Sequence, residues 1–234
     1  MRRGSLVLAF ASLAASAGAA LARPPVVVEL FTAQGCVSCA AAEARIASLA
    51  ETRGVIALTF SVDYWDYLGW NDTFARPEFA DRQRAYDKRF DVAEVFTPQV
   101  VVDGRTQTAA VRATEIDELV QGARHTQMAP PQMFWRGARV GIGGGRRPRG
   151  GAGIWLVRYD PRAAQVEVKD GDNRGHTVVE RNVVTQLQRL GAWRGRPMLL
   201  ALPPAPSPGL RALVMVQGDD GGKILAVLEQ PATP

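Results

Sequence analysis

Cysteine and histidine are scarce: 234 residues carry two of each. Cys36 and Cys39 lie three positions apart, which excludes the disulfide-dense scaffolds of small secreted domains, whose cysteines are many and dispersed. His125 and His176 are distant in sequence from that pair and from each other, so a four-ligand zinc site, or a copper-carrying variant of it, is disfavoured. His176, in the turn-like Asp172 to His176 run, reads as a surface residue. Long hydrophobic runs are lacking too, with one exception at the start. Arg2 and Arg3, an uncharged stretch from Leu6 to Ala20 and the small-residue pattern Ala20-Leu21-Ala22 read as a secretory signal peptide over residues 1–22. No later stretch reaches the roughly 18 apolar residues of a spanning helix, so no integral membrane segment is expected after cleavage. Those two arginines supply part of the formal net charge of +5. The small remaining excess, in a chain expected in the periplasm or outside the cell, argues against a nucleic-acid partner.

What is present is ordinary globular composition, 47% apolar and 22% charged, enough for one large or two small domains. The chemistry is concentrated in one place. Val26-Val27-Val28-Glu29-Leu30-Phe31-Thr32 is an apolar, β-branched run that reads as a buried strand, and Ala40 to Ala50 is a strong helix candidate. The Cys36-Val37-Ser38-Cys39 motif therefore falls on the turn from strand to helix. Unpaired N–H groups and the positive dipole end there stabilise a thiolate, the reactive form of cysteine. That assigns Cys36 as nucleophile and Cys39, one turn on, as the thiol that resolves a mixed disulfide. A structural disulfide and a metal site remain as alternatives, though a bridge closing so small a loop adds little stability on the chain-entropy account.

Beyond the motif, Val55 to Val62 reads as a second strand, Pro77 to Phe90 as a helix with Pro77 in its first turn, and Gln99 to Val102 as a third strand. Asp103-Gly104 is a hairpin turn, Thr106 to Ala110 returns antiparallel, and Thr114 with Asp117 forms a capping-box-like start to a last helix. The sum is βαβαββα. That order, with C-x-x-C at the first strand-to-helix turn, resembles the thioredoxin fold. The resemblance implies a cis peptide bond at Thr97-Pro98, beside the cysteines, where the backbone of Thr97 pairs with an extended substrate. It also directs attention to Glu29, because thioredoxins carry a buried acid on the equivalent strand. Glu29 then relays a proton for Cys39, or else sits at the solvated strand end or pairs with an arginine. More closely, VELFTAQGCVSC, SVDYWDYLGWNDTFARPEFADRQRAY and TPQVVVDG resemble an exported bacterial thioredoxin-like family of unassigned function. Val37-Ser38 between the cysteines lacks the histidine of the strongly oxidising periplasmic enzymes, so a very low thiolate pKa is not expected.

Aromatic residues make up 7% of the chain, yet Asp63 to Asp72 holds Tyr64, Trp65, Tyr67 and Trp70. This insertion, residues 63–76, reads either as a lid or peptide-contact surface over Cys36, formed by Tyr64, Trp65 and Trp70, or as an aromatic mini-core. After a linker at Ala129-Pro130-Pro131, short apolar runs punctuated by Gly, Asp, Asn and Pro suggest a β-rich sandwich or barrel-like module over residues 129–234. Expected strands are Ile154 to Tyr159, Val166 to Val168, Thr177 to Leu187, Met198 to Leu202, Leu213 to Val216 and Ile224 to Leu228, with a helical turn as the alternative for Thr185 to Leu190. The glycine-rich Gly141 to Gly153 segment lacks the Gly-Lys-Ser/Thr ending of a phosphate loop and reads as a flexible basic hairpin. The expectation is an α/β protein: a signal peptide (1–22), a thioredoxin-like domain (23–128) and a β-rich domain (129–234). It exchanges disulfides with a protein substrate without a cofactor and is reset by a partner redox protein. The alternative is a scaffolding protein in which the pair is a local clasp.

Overall fold

The structure, a computed structural model, describes residues 23–125 and 129–231; the expected signal peptide lies outside the described residues. Over its first part the chain forms β1 (Val26–Thr32), α1 (Ala40–Ala50), β2 (Val55–Ser61), α2 (Pro77–Phe90), β3 (Gln99–Val102), β4 (Thr106–Thr108) and α3 (Ala113–Arg124). Pro77 opens α2, where its missing N–H costs nothing, and Asp91 closes it in the left-handed conformation (φ 57°). The Asp103-Gly104 turn has both residues at positive φ, as a two-residue hairpin with matching twist requires. A Cβ on Gly104 would lie 2.5 Å from the carbonyl oxygen of Gly222, so glycine is also demanded by close approach. Helix α3 starts differently from its expected capping box. Arg112 is the N-cap with no side-chain cap bond, Glu115 accepts from Thr108 and Arg112, and Asp117 turns away to pair with Arg45 of α1.

The later part adds β5 (Met133–Arg136), β6 (Arg139–Ile142), β7 (Ala152–Asp160), β8 (Ala164–Glu167), β9 (Thr177–Glu180), β10 (Val183–Ala192), β11 (Met198–Ala201), β12 (Arg211–Gly218) and β13 (Ile224–Glu229). The expected run from Thr177 is broken into β9 and β10 at Asn182, which takes φ 52°, and Thr185 to Leu190 is strand rather than helical turn. Only part of this half matches a separate sandwich. β7, β10, β12 and β13 continue the first sheet, giving eight strands in the order β13-β12-β7-β10-β2-β1-β3-β4. The junction is one parallel pairing, Val183 with Thr59, reinforced by Asn182 Nδ2 donating to the Ala57 carbonyl at 2.7 Å. The β11-β6-β5 sheet then packs over the outer half through Val140, Ile142, Ile154, Leu156, Val214 and Trp193.

Strand alternation divides the core. On one face of β1, Val26, Val28 and Leu30 pack with Ile46 and Leu49 of α1 and Ile116 and Val120 of α3. On the other, Val27 and Phe31 join Phe60, Phe79 and Tyr86 beneath α2, and that face continues through Val157, Val184, Leu213 and Met215. The result is a mixed α/β protein with one large sheet and few helices. No helix among the described residues is long and apolar enough to cross a membrane.

Candidate functional site

β1 and β2 are parallel and end side by side, Thr32 opposite Ser61. Just beyond, Cys36 N–H donates to the Ala33 carbonyl at 2.9 Å, and a 3-10 turn over Val37–Cys39 leads into α1, with Cys39 as its N-cap. Cys36 and Cys39 form a disulfide. Cys36 is 2% and Cys39 0% exposed, while Val37 beside them is 59% exposed. The Ser38 hydroxyl is 3.5 Å from the Cys36 sulfur, a polar contact the sequence did not single out.

Thr97-Pro98 is cis, the isomer implied by the resemblance. β3 runs antiparallel to β1 with Gln99 opposite Phe31, so Thr97 and Pro98 lie at the same end of the sheet as the cysteine turn. The Thr97 hydroxyl is buried without a hydrogen-bond partner among the described residues.

The insertion closes over this end. Trp65 packs on Gly35: a Cβ there would stand 3.8 Å from the Trp65 Cβ. Tyr64 and Trp65 are half-buried against the core that includes both cysteines, and Trp70 Nε1 donates to Gln34 Oε1 at 2.9 Å. Gln34 is the joint of the region. Its N–H donates to Asp72 Oδ2 at 2.7 Å, its amide to Thr73 Oγ1 at 2.8 Å and to Glu180 Oε2 at 3.4 Å, and its carbonyl accepts from Asn173 Nδ2 at 2.9 Å. One residue two positions ahead of Cys36 thus binds both the insertion and the later half of the chain.

Of the readings of Glu29, the structure shows the arginine pair. Alternation turns its side chain toward α2, where Arg82 holds it at 2.7 and 3.2 Å and the Tyr86 hydroxyl donates to it. Both carboxylate oxygens are engaged in these bonds.

Instead, the carboxylates near the cysteine turn are Glu43, Asp72 and Glu180. Glu43, on α1, accepts from Thr32 Oγ1 at 2.7 Å; Glu180, at the end of β9, accepts from Ser61 Oγ at 3.1 Å. Burial pushes Glu43 up to about 7, against the Thr32 hydrogen bond and helped by the charge of Asp72. Burial pushes Glu180 up to about 8, reinforced by Asp72 and Glu43. Asp72 is raised by burial as well, opposed by N–H donors from Gln34, Phe74 and Ala75. Neither glutamate has an ion-pair partner among the described residues. No group of three or more His, Cys, Asp or Glu side chains among those residues is arranged to hold a metal ion. Glu43 was detectable in the sequence as an acid one helical turn after Cys39; Glu180 and Gln34 carry no local signal.

No protein with a curated description matches the chain. Among solved structures, protein AGR_C_4864 from Agrobacterium tumefaciens is similar at 28% identity and a TM-score of 0.68, over 91% of this chain and 98% of that one. HBP35 of Porphyromonas gingivalis is similar in fold, with 14% identity and a TM-score of 0.59, over 90% of this chain and 77% of that one. The family described as Protein of unknown function (DUF1223) matches residues 27–217, and the chain belongs to it.

Proposed function

We propose that the protein is an exported thiol–disulfide oxidoreductase of thioredoxin-like architecture. The observation that carries this reading is the Cys36–Cys39 disulfide on the turn between β1 and α1, at the same end of the sheet as Thr97 and Pro98. The reduced pair begins as a Cys36 thiolate and a Cys39 thiol. Cys36 attacks a substrate disulfide, forming a mixed disulfide and releasing one substrate thiolate, which takes a proton from water. Cys39 gives up its proton and attacks the Cys36 sulfur. The internal disulfide forms, the second substrate thiolate leaves, and a partner redox protein returns the two electrons. The backbone at Thr97 aligns an extended substrate, and Trp65, Trp70 and Tyr64 flank its path.

The burial of Cys36 favours a second reading, in which the pair is a clasp within a binding or scaffolding protein. Expressing Cys39→Ser with the export signal in a bacterial host separates the two. Exchange predicts that mixed disulfides accumulate on Cys36 and vanish in Cys36→Ser/Cys39→Ser; a clasp yields no adducts.

A further inference from the structure

We propose that the outer face of the small β11-β6-β5 sheet, with the loops at one end of it, docks the protein on an anionic phospholipid bilayer. This surface is independent of the chemistry at Cys36 and Cys39. Residues 129–153 and 191–210 hold seven arginines and no aspartate or glutamate. Arg2 and Arg3 carry two of the formal net charge of +5, so these seven leave the remainder of the chain net acidic. The basic charge is segregated rather than spread as a solubilising coat.

The fold gathers those two stretches. Gly141 of β6 lies between Phe134 of β5 and Leu199 of β11, and two residues away along each strand Arg139 lies between Arg136 and Ala201. Trp135, Val140 and Leu200 pack inward on the core, so alternation turns Phe134, Leu199, Arg136 and Arg139 to the opposite face. Phe134 is 53% and Leu199 41% exposed. The Phe134 ring lies over Gly141, where a Cβ would stand 2.3 Å from its Cζ, so the glycine lets the ring rest on the sheet. Beyond the other end of these strands the β6–β7 connection meets the turn before β11. Gly145 N–H donates to the Gly195 carbonyl at 3.1 Å, and a Cβ on Gly195 would lie 3.7 Å from the Arg147 Cβ. Arg146, Arg147, Arg194 and Arg196 are brought together there, with Arg149 two residues on. All seven arginines are exposed, and none has an ion-pair partner among the described residues. Two acids border the patch and each has its own cation: Asp219, against Gly151, pairs with Arg189, and Glu229, whose carbonyl takes Trp135 Nε1, pairs with Arg211.

Apolar side chains set between two groups of arginines on one sheet face suit a bilayer surface. Guanidinium groups take lipid phosphates in a bidentate grip, while Phe134 and Leu199 enter the boundary between headgroups and acyl chains. A polyanionic polysaccharide would meet the arginines but offers the two apolar side chains nothing to enter.

Co-sedimentation of the chain from Arg23 to Pro234 with lipid vesicles tests this. Vesicles of phosphatidylcholine with about 30% phosphatidylglycerol should bind it about tenfold or more tightly than phosphatidylcholine alone, and the binding should weaken as salt rises above about 0.1 M. Arg146→Gln/Arg147→Gln should weaken binding by about tenfold or more, whereas Lys88→Gln/Arg89→Gln, which removes the same charge from exposed positions on α2, should stay within about twofold. Phe134→Ser should weaken binding roughly five- to tenfold, which a purely electrostatic contact would not register. Circular dichroism reports whether Phe134→Ser keeps the fold, and the two charge variants decide the matter without it. Equal loss in both charge variants would show that net charge alone acts, and would overturn the proposal. Retention on dextran sulfate without vesicle binding would assign the patch to a polyanionic polysaccharide, and binding to neither would make it a solvated face; either result overturns the proposal.

Discussion

Two buried acid sites lie on opposite faces of the same strand, and they are built on opposite principles. Glu29, facing α2, is neutralised by Arg82 and further held by Tyr86, while Gln217 donates to the Tyr86 hydroxyl. Burial alone would lower the Arg82 guanidinium; Glu29 and Tyr86 hold it above its ordinary value. Glu43 and Glu180, at the C-terminal ends of β1 and β2, have hydroxyls, amides and another acid for company, but no ion-pair partner among the described residues. A paired buried charge holds structure in place. An unpaired one is tolerated by binding a proton, and so stays ready to exchange it.

Breaking the paired site has the largest expected effect. Arg82→Met leaves Glu29 buried without its countercharge and should cost about 3–5 kcal/mol in urea unfolding. Adding Glu29→Gln to that variant should recover part of the loss; equal stability of the single and double variants would show that the pair is not what the strand depends on.

The unpaired site has the opposite signature in pH. The folded-state values of Glu43 and Glu180 lie above the ordinary carboxyl value of 4.5. Between that value and about 7 to 8 the folded protein therefore holds more protons than the unfolded chain. Their contribution is fully present below the unfolded pKa and is lost as pH rises through the folded pKa values, by on the order of 3 kcal/mol between pH 5 and 9. Glu43→Gln and Glu180→Gln should each flatten that slope and gain stability at pH 9. An undiminished slope in both variants assigns it to other groups.

Smaller effects refine the contrast. Trp70→Phe removes the donor to Gln34 Oε1 and should cost roughly 0.5–1.5 kcal/mol, together with faster alkylation of the reduced cysteines if the insertion shields them. Asp117→Asn removes a half-exposed partner of Arg45 and should change stability by about 0–1 kcal/mol, measurable as a small shift in the urea midpoint.

Local sequence signals made the first seven elements legible: Pro77 at a helix start, Asp103-Gly104 at a hairpin, an apolar, β-branched run in β1 that is buried throughout. The pairing of β10 with β2 was not legible, since Val183 meets Thr59 across more than a hundred residues and nothing local marks it. β5 and β6 escaped because each is four residues long and carries an arginine at an end. At the site, the cysteines stood out by rarity. Glu29 drew attention as an acid in an apolar strand, yet its partner Arg82 lies 53 residues on. Glu43 and Glu180 meet only through the fold, so an environment that raises both could not be read from either neighbourhood.

Equilibrating the folded protein against a graded series of oxidised and reduced dithiothreitol, then counting alkylated thiols by mass, tests the redox role of Cys36 and Cys39 most directly. Exchange predicts a reversible two-electron transition with both cysteines alkylated at the reducing end and the fold retained. A pair that stays oxidised in excess dithiothreitol, or one whose reduction unfolds the chain, would contradict it and leave the disulfide as a clasp.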